Sequence, residues 1–174
     1  MAYVDTSVLI AAYAPRDPLR SAARNFLGKS RTPRIISSLT FAELSSVLSR
    51  VEENLDLPSV LRQEPPQRRI RALVEYVVRD CRLTIASQLG ASRVRLGGRN
   101  VTMPMEYSTA AALAPKLKLR SLDLLHLAYA SLISRLEFSI SSFVTGDETI
   151  LGKKDDIRES LNITPTYPNE AIRA

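Results

Sequence analysis

Cysteine and histidine are nearly absent from this chain, and each scarcity closes off a class of chemistry. A single cysteine, Cys81, excludes an internal disulfide framework and a multi-cysteine zinc site. It reads as a small buried apolar residue. A single histidine, His126, excludes a His–His acid–base pair within one chain. Hydrolytic chemistry here must therefore rest on carboxylates, hydroxyls or a bound metal. No run approaches the roughly 18 uninterrupted apolar residues of a membrane span. The opening Met1-Ala2-Tyr3-Val4-Asp5 has neither the basic region nor the long apolar stretch of a secretory signal. The expectation is a cytoplasmic protein with no membrane partner. Composition is that of a globular protein: 174 residues, 45% hydrophobic and 24% charged, enough to bury a real core within one domain.

Charge is present but uneven. The net formal charge is +6. Between Arg62 and Arg99 nine arginines face three acids, Glu64, Glu75 and Asp80, so this segment carries the whole excess. A basic region on a neutral body points to an anionic partner, nucleic acid first. The competing reading is a solvated surface laced with ion pairs.

The hydrophobic pattern alternates between strand and helix. Strands are expected at Ala2–Asp5, Arg34–Ser37, Arg82–Ala86, Phe143–Thr145 and Leu161–Thr164. Helices are expected at Ser7–Ala14, at Leu19–Leu27 closed by Gly28, at Thr40–Asn54, at Pro66–Asp80, at Tyr107–Leu113 stopped by Pro115, and at Ser121–Leu136. Leu57–Gln63 reads as a linker, and Gly97-Gly98-Arg99 as the turn of a hairpin between Val94–Leu96 and Asn100–Met103. Alternation of this kind predicts a parallel sheet between helical layers, with ligands at the carboxyl ends of its strands.

Four carboxylates fall at that edge, and each has a structural reading. Asp5 ends the first strand and is placed as an N-cap. Glu43 follows Thr40 at capping-box spacing. Asp123 lies in the first turn of its helix, where the dipole favours an anion. Asp147 follows Gly146 in a turn. Taken together they converge, and carboxylates so placed cannot all stay ionised without a cation. Oxygen ligands with no histidine or cysteine suit Mg²⁺ or Mn²⁺ rather than Zn²⁺ or Cu. Such a centre activates water and stabilises both oxygens of a displacement at phosphorus.

These residues, in this order, resemble the PIN-domain family, especially its VapC-type toxin ribonucleases. The segments are Val4-Asp5-Thr6-Ser7-Val8-Leu9, Leu39-Thr40-Phe41-Ala42-Glu43-Leu44, Leu122-Asp123-Leu124-Leu125-His126-Leu127-Ala128-Tyr129-Ala130 and Phe143-Val144-Thr145-Gly146-Asp147. The resemblance implies a three-layer α/β/α sandwich, mostly parallel, as one nuclease domain over residues 1–174. It implies metal-dependent endoribonuclease activity on RNA, frequent homodimers and often a protein antitoxin that blocks the site. Asp5, Glu43, Asp123 and Asp147 would be the metal-binding catalytic acids, with Thr6, Ser7 and Thr145 as supports or as local caps. The stretch 87–105 departs from a compact member and reads as a basic hairpin insertion.

Other residues leave two readings open. His126, one helical turn after Asp123, either packs its helix or touches substrate or a carboxylate. Arg50 is a candidate for a substrate phosphate contact or a surface ion pair; Arg93, Arg95 and Arg99 are candidates for RNA contact, for a dimer contact, or for the mark of a subfamily outside the toxin group. An aspartate-nucleophile phosphatase is disfavoured, because Asp5-Thr6-Ser7 lacks the second acid. A catalytically inactive module that binds RNA or protein is the alternative, although none of the four acids is missing.

Overall fold

A computed structural model of the chain describes residues 1–86 and 89–172, with Gln67 described by its backbone alone. Five strands form a parallel sheet: β1 (Ala2–Val4), β2 (Arg34–Ile36), β3 (Leu83–Ile85), β6 (Ser142–Val144) and β7 (Thr164–Thr166). Their order is β3-β2-β1-β6-β7. The chain thus steps outward from β1 to β3 and returns to build β6 and β7 on the other side of β1. The register sets Tyr3 beside Ile35 and Phe143. β4 (Ala91–Leu96) and β5 (Arg99–Pro104) form a separate antiparallel hairpin.

Alternation along these three-residue strands creates two cores. Val4, Ile36 and Val144 point into one cluster, with Leu9, Phe26, Leu44, Leu48, Leu73 and Val77. These come from α1 (Thr6–Tyr13), α2 (Arg20–Lys29), α3 (Ser38–Val51) and α4 (Pro66–Asp80). Tyr3, Ile35 and Phe143 point into the other, with Leu117, Leu127, Ile133 and Ile157. Those belong to α5 (Met105–Leu117), α6 (Ser121–Leu136) and α8 (Lys154–Leu161). Period-two side chains between two helical layers give the α/β/α sandwich expected from the sequence.

Several boundaries differ from the sequence reading. α2 runs through Gly28 to Lys29, because Gly28 keeps a helical backbone and Ser30 supplies the extended C-cap. α3 starts at Ser38, since the Ser37 side chain accepts from the Thr40 amide. Thr40 is therefore inside the helix and Glu43 in its second turn, not the closing residue of a capping box. Asn54 falls in a 3₁₀ turn, Glu52–Asn54, and the linker holds another, Ser59–Gln63.

Pro115 does not stop α5. It lies in the final turn, where its missing amide frees only the carbonyl of exposed Ala111. Fully buried Leu117 extends the helix, and Lys118 ends it at φ 52°. The final strand is Thr164–Thr166 rather than Leu161–Thr164. Leu161 instead closes α8, capped by Asn162 at φ 56°. A short helix, α7 (Glu148–Leu151), follows Asp147. The hairpin turns at Gly97 (φ 53°) and Gly98 (φ 79°), the pair of positive values that a two-residue turn of type I′ needs. Of the 87–105 stretch, Ser87 and Gln88 lie outside the described residues.

Candidate functional site

The carboxyl edge of the sheet holds the site. β1 ends at Val4, so Asp5 lies just beyond it; β6 ends at Val144, so Thr145 and Asp147 lie beyond that strand. α3 and α6 both begin at the same edge, which brings Glu43 and Asp123 over it. Asp5, Glu43, Asp123 and Asp147 line one open cavity of about 320 Å³, together with Thr6, Ser7, Leu122 and His126. Ligand atoms of Asp5, Glu43 and His126 lie within 4.8 Å of one another.

Three of the acids share a pattern in which one oxygen is held by the protein. Asp5 Oδ2 accepts from Ser7 Oγ at 2.7 Å and Thr145 Oγ1 at 2.7 Å. Asp5 occupies the N-cap position of α1, but its side chain makes no capping bond. Glu43 Oε2 accepts from Thr6 Oγ1 at 2.6 Å and meets His126 Nε2 at 2.6 Å. Asp147 does cap, through Oδ1, which accepts from the amides of Thr149 at 2.7 Å and Ile150 at 3.2 Å. Among the described residues no hydrogen bond engages the second oxygen of any of the three. A carboxylate tied at one oxygen keeps its orientation and leaves the other for a cation.

Electrostatics follow the same geometry. Asp123 has its pKa raised by burial, then by the charges of Asp147 and Asp5, against the pull of the Arg120 backbone amide. Burial pushes Glu43 up as well, but hydrogen bonds from His126 and Thr6, with the His126 charge, bring it below its ordinary value. Four carboxylates around a pocket whose lining, among the described residues, holds no lysine or arginine suit a hard divalent ion.

The PIN domain model matches residues 2–153. The chain belongs to the PIN-domain family. None of the curated proteins matches it. PIN domains are generally metal-dependent nucleases acting on RNA, and the acidic cluster here is a possible metal site.

Arg50, Arg93, Arg95 and Arg99 are not part of the PIN domain's acidic cavity. Arg50 is in the last turn of α3 and donates to Ser46 Oγ at 2.7 Å. Arg93 and Arg95 share one face of the hairpin, paired with Thr102 and Asn100. Arg99 pairs with Leu96 on the opposite face. All three hairpin arginines are exposed, and no ion pair involves them among the described residues.

Sequence reasoning did not single out Tyr3. Its hydroxyl lies 2.7 Å from Ser37 Oγ, 3.0 Å from Thr40 Oγ1 and 3.1 Å from His126 Nδ1, in the fully buried interior. The available signal was a tyrosine in the middle of a wholly buried strand, where its hydroxyl must find a partner. His126 is buried, as packing would require, and also hydrogen-bonded to a site carboxylate.

Proposed function

We propose that this PIN domain is a Mg²⁺- or Mn²⁺-dependent endoribonuclease that hydrolyses phosphodiester bonds in RNA. The observation that carries the reading is the set of four acids around one cavity, three of them tied at a single oxygen. Asp5, Glu43, Asp123 and Asp147 would hold the cation. When bound, it supplies Lewis acidity towards the phosphodiester and balances the charge that develops at phosphorus. Ser7 and Thr145 orient Asp5, Thr6 orients Glu43, and the first amides of α7 orient Asp147. The net reaction adds water across a P–O bond, leaving a phosphate monoester and a free hydroxyl.

RNA is assigned from charge: the segment from Arg62 to Arg99 carries an excess of six positive charges, and the hairpin displays three exposed arginines that form no ion pair among the described residues. We assign Arg93, Arg95 and Arg99 to the substrate backbone, and Arg50 to a separate phosphate contact. The hairpin is read as an insertion in one nuclease domain over residues 1–174. Likeness of the four acidic segments to VapC-type toxins supports a toxin of a toxin–antitoxin pair. Such a protein would act in the cytoplasm as a homodimer, restrained by a protein antitoxin.

The test is cleavage of end-labelled single-stranded RNA with Mn²⁺, with Mg²⁺ and with EDTA. Metal-dependent internal cleavage that disappears in Asp5→Asn is expected. Cleavage that persists in EDTA, or equally in Asp5→Asn, overturns the reading. Induced expression in a bacterial host tests the toxin role: growth arrest is expected, and unimpaired growth at equal protein level counts against it.

A further inference from the structure

Both nitrogens of the His126 ring are engaged, and their partners define its orientation. Nε2 lies 2.6 Å from Glu43 Oε2, and Nδ1 lies 3.1 Å from the Tyr3 hydroxyl. A carboxylate oxygen only accepts, so Nε2 carries a proton and donates to Glu43, and Nδ1 pairs with the Tyr3 hydroxyl, which can accept from it or donate to it. The Tyr3 hydroxyl is also within hydrogen-bond distance of the hydroxyls of Ser37 and Thr40. Tyr3 cannot swing away: it is fully buried and stacked on Phe143, with ring centroids 5.2 Å apart and planes 12° apart. The relay thus starts in rigid β1 and ends on the site carboxylate. It also links α3 and α6, which belong to opposite helical layers, over the edge of the sheet.

This arrangement decides the role of the histidine. Glu43 Oε2 is clamped between Thr6 Oγ1 and His126 Nε2, which leaves Oε1 as the oxygen free for a cation. For His126 to ligate through Nε2, it would have to release Glu43 and free the oxygen that Thr6 alone would then hold. We propose that His126, oriented by Tyr3, is a positioning residue that fixes which oxygen of Glu43 faces the cavity, and that neither ring nitrogen is a metal ligand. The inference rests on the metal-site reading given above.

The experiment measures Mn²⁺ affinity by titration calorimetry on the full chain and on Tyr3→Phe, His126→Phe and His126→Gln, with thermal melts to select folded variants. Loss of an outer partner that orients a ligand weakens metal binding about 10–100-fold. That loss is expected for His126→Phe, with a smaller one for Tyr3→Phe. His126→Gln, whose amide still donates to Glu43, should recover most of the affinity. In parallel, pulsed electron paramagnetic resonance on Mn²⁺ bound to the unmutated protein should show no directly coordinated nitrogen, a result that needs no variant to fold. A strong nitrogen coupling overturns the proposal and makes His126 a ligand. Folded Tyr3→Phe and His126→Phe that bind as tightly as the parent overturn it too. If the parent itself binds no Mn²⁺, the metal-site reading falls, and this inference with it.

Discussion

Thr145 and Asp5 lie 140 residues apart in sequence and are joined by a 2.7 Å hydrogen bond from Oγ1 to Oδ2. The same hydroxyl oxygen accepts the Asp147 amide at 3.0 Å. One buried threonine therefore holds an acid that follows β1 and an acid that follows β6. Thr145→Val removes both bonds at nearly constant volume. We expect a loss of about 1–3 kcal/mol in stability and a roughly tenfold or greater loss in Mn²⁺ affinity. Denaturant unfolding and titration calorimetry read the two separately, and an unchanged affinity would reduce Thr145 to a packing residue.

The acids themselves separate charge from structure. Asp123 has a raised pKa in the folded chain, so its ionised form is disfavoured there and stability falls as pH rises through its titration range. Asp123→Asn removes that repulsion. Its metal-free melting temperature at pH 7 should match or exceed the parent's, while the upward shift produced by millimolar Mn²⁺ should disappear. Asp5→Asn should also fold, because an amide oxygen can still accept from Ser7 and Thr145. Retention of the full Mn²⁺ shift in both variants would remove these residues from the cation site.

The hairpin makes a prediction in salt. If Arg93, Arg95 and Arg99 meet phosphates, RNA binding weakens with salt by a slope of roughly −0.7 per contact on a single strand. Replacing the three by alanine should flatten the slope by up to about 2, with Mn²⁺ affinity unaltered. A slope equal to the parent's would place these arginines outside the RNA path.

Cys81 supplies a pH test remote from the acidic edge. Burial, with the Asp80 charge, pushes its thiol up to about 11, although the Tyr13 hydroxyl contact opposes this. The folded chain therefore holds the proton more tightly than the unfolded chain does. The stabilisation is complete below the ordinary thiol range and is lost as pH rises towards 11. Melting temperature should fall between pH 9 and pH 11, and less steeply in Cys81→Ala, as differential scanning calorimetry would show. Alkylation of the native chain at pH 8 should be slow compared with that of the unfolded chain.

The legible parts of this fold are those where one local pattern dominates. α4 and α6 match their sequence boundaries because each repeats apolar residues at helical spacing between clear end signals. α8 was missed because only Ile157 and Leu161 of its eight residues are buried, so its charged face reads as loop. Pro115 misled because a proline breaks a helix interior but not the last turn. At the site, short motifs placed the four acids at one sheet edge. Partners were harder to see. Thr40 and Glu43 have capping-box spacing, yet Ser37, one turn earlier, is the residue that caps. The bonds of His126 to Tyr3 and Glu43 cross 123 and 83 residues, and no local pattern encodes contacts at that range.

Strand order also governs when the acidic cavity can assemble as the chain is synthesised. β6 sits between β1 and β7, near the middle of the sheet, although it is almost the last strand in sequence. A nascent chain leaving the ribosome carries Asp5 from the outset, but it has no β6 to pair with β1 and no Asp147 beside it. The acidic cavity therefore comes together in a single late step, after most of the polypeptide has emerged. A chain that ends before Phe143 lacks β6, leaves one edge of β1 unpaired, and has neither Thr145 nor Asp147 to complete the cavity around Asp5.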